Sequence, residues 1–120
     1  MGQPKVLIVS TDPVVGALLG LLAELEGCAV TFDDGHESPW AAVEHHRPQL
    51  LLVDVDHRDG ASDAFLEHVR RAGLKVILYG PRQVPPKVKA RAEECALPWF
   101  TLPLAGEEFS QTLKETLVTA

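Results

Sequence analysis

Cysteine is scarce in this 120-residue chain, and basic charge is in deficit. Cys28 and Cys95 stand far apart and neither belongs to a CxxC pair, which excludes a disulfide framework and reads as the reduced thiols of a cytoplasmic protein. Eleven Lys and Arg against 17 Asp and Glu give a formal net charge of −6. Nonspecific affinity for nucleic acid comes mostly from Lys and Arg, so no direct nucleic-acid surface is expected. No apolar run reaches membrane-spanning length, and the N-terminus carries no signal-peptide pattern. Internal repeats, low-complexity tracts and linkers are likewise missing. With 46% hydrophobic and 23% charged residues, the expectation is a single domain, 1–120, with a real core.

The stretch the chain is built around is Gln49 to Asp56, QLLLVDVD. The apolar run Leu50 to Val53, preceded by Pro48, reads as a strand buried on both faces, as in the middle of a parallel sheet. It runs straight into Asp54. An acid at the carboxyl end of a central parallel strand lies where open α/β sheets bind ligands.

Other strands are expected at Lys5–Val9, Cys28–Phe32, Leu74–Tyr79 and, more weakly because of Pro98, at Leu97–Leu102. Between them lie helical patterns. Asp12 and Pro13 give a cap-then-proline start for a helix whose apolar stripe is Val14, Val15, Leu18, Leu19, Leu22 and Leu25, stopped at Gly27. Ser38 and Pro39 repeat the signal before a short helix, Trp40–His46. A third helix runs from about Ser62 to Ala72 with Phe65, Leu66 and Val69 inward, a fourth from Pro85 to about Ala96, and a fifth from near Gly106. Its Phe109, Leu113 and Leu117 share one face. Strict βα alternation predicts an α/β fold: a flavodoxin-like (βα)5 three-layer sandwich whose parallel five-stranded sheet has the order 2-1-3-4-5. Ser10, Thr11 and Asp12 then face Asp54 across the crevice between strands 1 and 3.

These features together resemble the receiver domain of bacterial two-component response regulators, over essentially the whole chain. VLIVSTDP looks like the family's first strand with its acidic pocket, and RPQLLLVDVD like the segment ending at the phosphoryl-accepting aspartate, a role that falls on Asp54. VILYG looks like strand 4, and CALPWFTLPL is similar to the GAxxYLxKPF segment, with Ala96, Trp99 and Pro103 matching. The family's paired acids fall on Ser10 and Thr11, with Asp12 the next residue. Its phosphoryl-contacting hydroxyl falls on Tyr79 and its lysine on Leu102. The Met-Pro after the aspartate is missing, and Gly60 comes early. Asp56 sits where the family offers a backbone carbonyl to the metal.

Phosphoryl transfer to an aspartate needs Mg²⁺ and donors that hold the developing charge. Ser10 and Thr11 remove two carboxylates from the crevice, and hydroxyls ligate Mg²⁺ weakly. Leu102 removes a charge-assisted hydrogen bond, worth roughly 1.5–3 kcal/mol where it forms. Tyr79 brings a bulky ring expected to cap or fill the pocket. Asp12 is read first as a helix cap and second as a cation ligand beside Asp54 and Asp56. His45, His46, His57 and His68 offer no defensible zinc geometry. Trp99 matches the aromatic whose rotamer reports the active state in receivers, and is read here as packing. Lys87, Lys89 and Arg91 form a basic strip, either a solvated face or part of the partner face that the family builds from its fourth helix, fifth strand and fifth helix.

The resulting expectation is a non-enzymatic, degenerate receiver without a cofactor that acts by contact with a protein, a histidine kinase or a downstream effector, and pairs with itself through that partner face. The alternative is a working receiver phosphorylated on Asp54 with Mg²⁺. A small-ligand sensor using the same crevice is a third class, and the lack of a Gly-rich loop after strand 1 counts against a nucleotide there.

Overall fold

The computed structural model describes residues 3–33, 38–57, 62–80, 90, 93, 98–101 and 106–118. The strands are β1 (Lys5–Val9), β2 (Ala29–Phe32), β3 (Leu50–Asp54), β4 (Lys75–Gly80) and β5 (Trp99–Thr101). Every pairing is parallel and the sheet order is β2-β1-β3-β4-β5, as the alternating pattern predicts. The helices are α1 (Pro13–Leu25), α2 (Pro39–His46), α3 (Asp63–Arg71) and α4 (Gly106–Val118). Of the helix expected over 85–96, Ala90 and Glu93 are described, and both are helical. Lys87, Lys89, Arg91 and Leu102 lie outside the described residues, as does the side chain of Trp99. Among the described residues no helix is long and apolar enough to cross a membrane.

The central strand explains the layers. Side chains along a strand alternate between faces. Leu51 and Val53 enter a core with Ala42 and Val43 of α2 and Phe65, Leu66 and Val69 of α3. Leu50 and Leu52 enter the opposite core with Leu19 and Ala23 of α1 and Phe109 and Leu113 of α4. Both faces are covered, so the strand tolerates no polar residue until its end. Each fully buried Leu contributes about 1.5–3 kcal/mol relative to exposure. Neighbouring β1 and β4 divide their side chains in the same way, Val6 and Ile8 against Leu7 and Val9, Ile77 and Tyr79 against Val76 and Leu78.

Helix starts follow the local chemistry read from the sequence. The Asp12 carboxylate accepts from the Val14 N–H at 2.9 Å, the Ser38 hydroxyl from Ala41 at 3.2 Å and the Ser62 hydroxyl from Phe65 at 3.3 Å. Each satisfies a first-turn donor that has no partner within the helix. Gly27 and Gly73 follow α1 and α3 with φ of 89° and 81°, the left-handed region glycine enters without a Cβ clash.

One expectation needs correction. The buried face of α1 is Gly16, Leu19, Gly20 and Ala23, with Val15 and Leu22 partly buried beside it. Val14, Leu18 and Leu25, expected inward, are instead exposed together with Leu21. The cause is distance of approach. A Cβ on Gly16 would lie 3.2 Å from the Ser10 Cβ, and one on Gly20 only 2.6 Å from the Phe32 ring. The helix turns its smallest residues to the sheet to come close, and this rotates larger side chains outward.

Candidate functional site

The site lies at the carboxyl ends of β1, β3 and β4. Asp54 closes β3 and is 7% exposed. By alternation it shares a face with Leu50 and Leu52, and its register partner across β4 is Tyr79. β1 ends one residue before Ser10, so the β1–α1 turn passes directly beside the carboxylate.

That turn satisfies the acid. The Thr11 hydroxyl donates to Asp54 Oδ2 at 2.6 Å, and the Thr11 N–H points to the same oxygen at 3.3 Å. The Asp56 N–H donates to Oδ1 at 2.9 Å. Both carboxylate oxygens therefore accept hydrogen bonds from the protein's own groups. Ser10 is occupied within the turn: its hydroxyl donates to the Asp12 carbonyl at 2.8 Å and accepts from the Asp12 N–H at 3.1 Å.

The three carboxylates considered for a cation do not assemble. Asp12 is exposed and caps α1 through Oδ1, and Asp56 is exposed beyond the strand end. Among the described residues no cluster of three or more His, Cys, Asp or Glu is placed to hold a metal ion, the histidines included. Mg²⁺ keeps near-octahedral oxygen coordination, with several waters, and is held through one or two carboxylates that must have oxygens free to bind it. A single acid whose two oxygens already accept from three donors, the Thr11 hydroxyl among them, does not fit a resident Mg²⁺.

Tyr79 does not cap the crevice. Its ring is fully buried in the core with Ile8, Leu19, Leu52 and Phe109. Burial pushes the phenol pKa well above its ordinary value; the charges of Asp54 and Asp12 act in the same direction, and a hydrogen bond with Ser10 opposes them. The hydroxyl stays protonated, buried below the β1–α1 turn. The next residue, Gly80, is fixed by crowding, because a Cβ there would run into the Val55 side chain.

Sequence reasoning missed two residues beside the site. Asp33, just past β2, and His57, just past β3, approach to 3.8 Å between Oδ2 and Nε2. With Ser10, Thr11, Pro13, Gly16, Ala17, Ile8 and Phe32 they line a cavity of about 470 Å³. No spacing in the sequence signals this pair. It follows from the strand order, because β2 and β3 flank β1 and the loops after them meet above it.

No protein-family model matches the chain, and no curated protein sequence does. Solved structures do. A response regulator receiver domain protein (CheY-like) from Methanospirillum hungatei JF-1 superposes with a TM-score of 0.79 at 21% identity, covering 97% of this chain and 94% of that one. A response regulator receiver protein from Burkholderia phymatum gives 0.74 at 22% identity and 98% coverage of both chains. The signal receiver domain of a modulated diguanylate cyclase from Desulfovibrio desulfuricans G20 gives 0.75 at 22% identity, covering 96% of this chain and 94% of that one. The fold of this chain is that of the response regulator receiver domain, with Asp54 closing its central strand.

Proposed function

We propose that the chain is a non-enzymatic signalling domain, a pseudo-receiver that works by protein contact and does not need a phosphoryl group. The observation that carries this reading is the 2.6 Å hydrogen bond from the Thr11 hydroxyl to Asp54 Oδ2. A phosphoryl acceptor must present a free carboxylate oxygen to the incoming phosphorus and a cation to bridge them. Here Thr11 covers one oxygen and the Asp56 N–H the other. The carboxylate instead pins the β1–α1 turn to β3, a structural role with its hydrogen bonds already made. The partner is a protein, a histidine kinase or a downstream effector, and the surface offered to it includes β5 and α4.

Incubation with acetyl phosphate and Mg²⁺, followed by intact-mass spectrometry, tests this. No adduct of one phosphoryl group is expected, and Thr11→Asp with Leu102→Lys, which returns a carboxylate and an ammonium, should begin to form one. A stable adduct on the wild-type chain that vanishes in Asp54→Asn would establish the working-receiver reading instead. The cavity beside Asp33 and His57 supports a second reading, a small-ligand sensor, because its volume of about 470 Å³ is that of a small-molecule site. A thermal-shift screen that finds a stabilising compound abolished by Ala17→Phe would favour it.

A further inference from the structure

The exposed apolar residues of α1 form a pattern. Val14, Leu18, Leu21 and Leu25 are 77%, 49%, 55% and 73% exposed. Their spacing is four, three and four residues, the period that keeps side chains on one seam of a packed helix pair. The seam is also uncharged: from Pro13 to Ala23 the helix has no ionisable residue, and Glu24 is the one charged residue in α1. The outer face of α4 is different, since its exposed residues Glu107, Glu108, Gln111, Lys114 and Glu115 are all polar. A homodimer through α4 finds no apolar seam among the described residues, whereas α1 supplies one.

We propose that α1 is a self-association surface on which two copies pair antiparallel across a two-fold axis, Val14 of one against Leu25 of the other and Leu18 against Leu21. An interface between identical copies must be self-complementary. A spacing of four, three and four reads the same in both directions, so antiparallel pairing about the midpoint between Leu19 and Gly20 brings every seam residue onto another. Charge selects the direction. Parallel pairing would set the two Glu24 carboxylates side by side. Antiparallel pairing separates them by nine helical residues, about 14 Å along the axis. This reading stands on α1 alone and does not depend on the state of Asp54.

Size sets the strength. A helix of 13 residues is about 20 Å long. The seam supplies roughly half of the ~800 Å² per partner in a standard interface, with half-exposed Phe32 near it on the edge strand. A contact this small is expected to be weak and transient, with dissociation in the range of about 10–100 μM. Each copy carries a net charge of −6, so salt should tighten the dimer by screening their repulsion.

The test is sedimentation velocity of the intact chain between roughly 5 and 500 μM, the span over which a contact of this size dissociates. The wild type should pass from monomer to dimer, more readily at high salt, and Asp54→Asn should behave alike. Leu18→Glu/Leu21→Glu should remain monomeric, with a circular dichroism spectrum like that of the wild-type monomer. Val14→Gln/Leu25→Gln, at the most exposed positions, should weaken association at least tenfold. Mixing Val14→Cys with Leu25→Cys under oxidation should give a crosslinked pair faster than either variant gives alone. A wild type that stays monomeric throughout, a dimer that survives Leu18→Glu/Leu21→Glu, or Val14→Cys coupling fastest to itself would overturn the proposal; the first would leave the seam to a helix of a different protein.

Discussion

The Asp54 end of the sheet and the outer face of α1 differ in how completely this chain meets its own needs. At Asp54 a costly group, a nearly buried carboxylate, finds both oxygens supplied with donors by Thr11 and Asp56. On α1 four large apolar side chains are half-exposed or more, and no described residue closes over their outer side. The first arrangement is internally satisfied. The second gains from any partner that removes it from water, at about 25 cal/mol for each Å² of apolar surface covered.

In a cluster of acids, removing one relieves repulsion between like charges and stabilises the fold. Here the acid is supplied by three donors, so Asp54→Ala should lower stability by about 2–4 kcal/mol in urea unfolding, because those donors lose a charged acceptor. A variant more stable than the wild type would mean that the site stores repulsion after all. Gly80 supports the same end of the sheet. Gly80→Ala should cost about 1–3 kcal/mol by forcing Val55 aside, and Val55→Ala in the same chain should recover part of it.

Tyr79 sharpens the picture through pH. Its folded pKa lies above that of the unfolded chain because of burial. Below about pH 10 both states hold the proton and pH has no effect through this group. Above it the unfolded state loses the proton first, so stability should fall by about 1.4 kcal/mol per pH unit until the folded pKa is reached. Denaturation curves at rising alkaline pH should show that slope in the wild type and lose it in Tyr79→Phe. The smallest effect is expected on α1. Leu18→Glu/Leu21→Glu should change the monomer's unfolding free energy by less than about 0.5 kcal/mol, since exposed positions contribute little to the fold.

The fold was legible because its signals are local. The buried run Leu50 to Val53, the proline-marked helix starts at Asp12 and Ser38, and the glycine stops at Gly27 and Gly73 each act within a few residues. Strict alternation then left few topologies. Asp54 was legible for the same reason, as the first polar residue after a strand buried on both sides. The rest depends on distance between elements. The outward turn of Leu18 follows from how closely Gly16 and Gly20 approach Ser10 and Phe32. The Tyr79 ring goes to the core because alternation along β4 sends it there with Ile77. The nearness of Asp33 and His57 depends on three strands at once.

The central claim is that Asp54 already holds the partners it needs and has no use for a cation and a phosphoryl group. Titration of the chain with Mg²⁺ and beryllofluoride, followed by amide NMR, tests this most directly. The amides of Thr11, Asp54 and Asp56 should keep their positions throughout the titration. Saturable, Mg²⁺-dependent shifts centred on those three residues would contradict it.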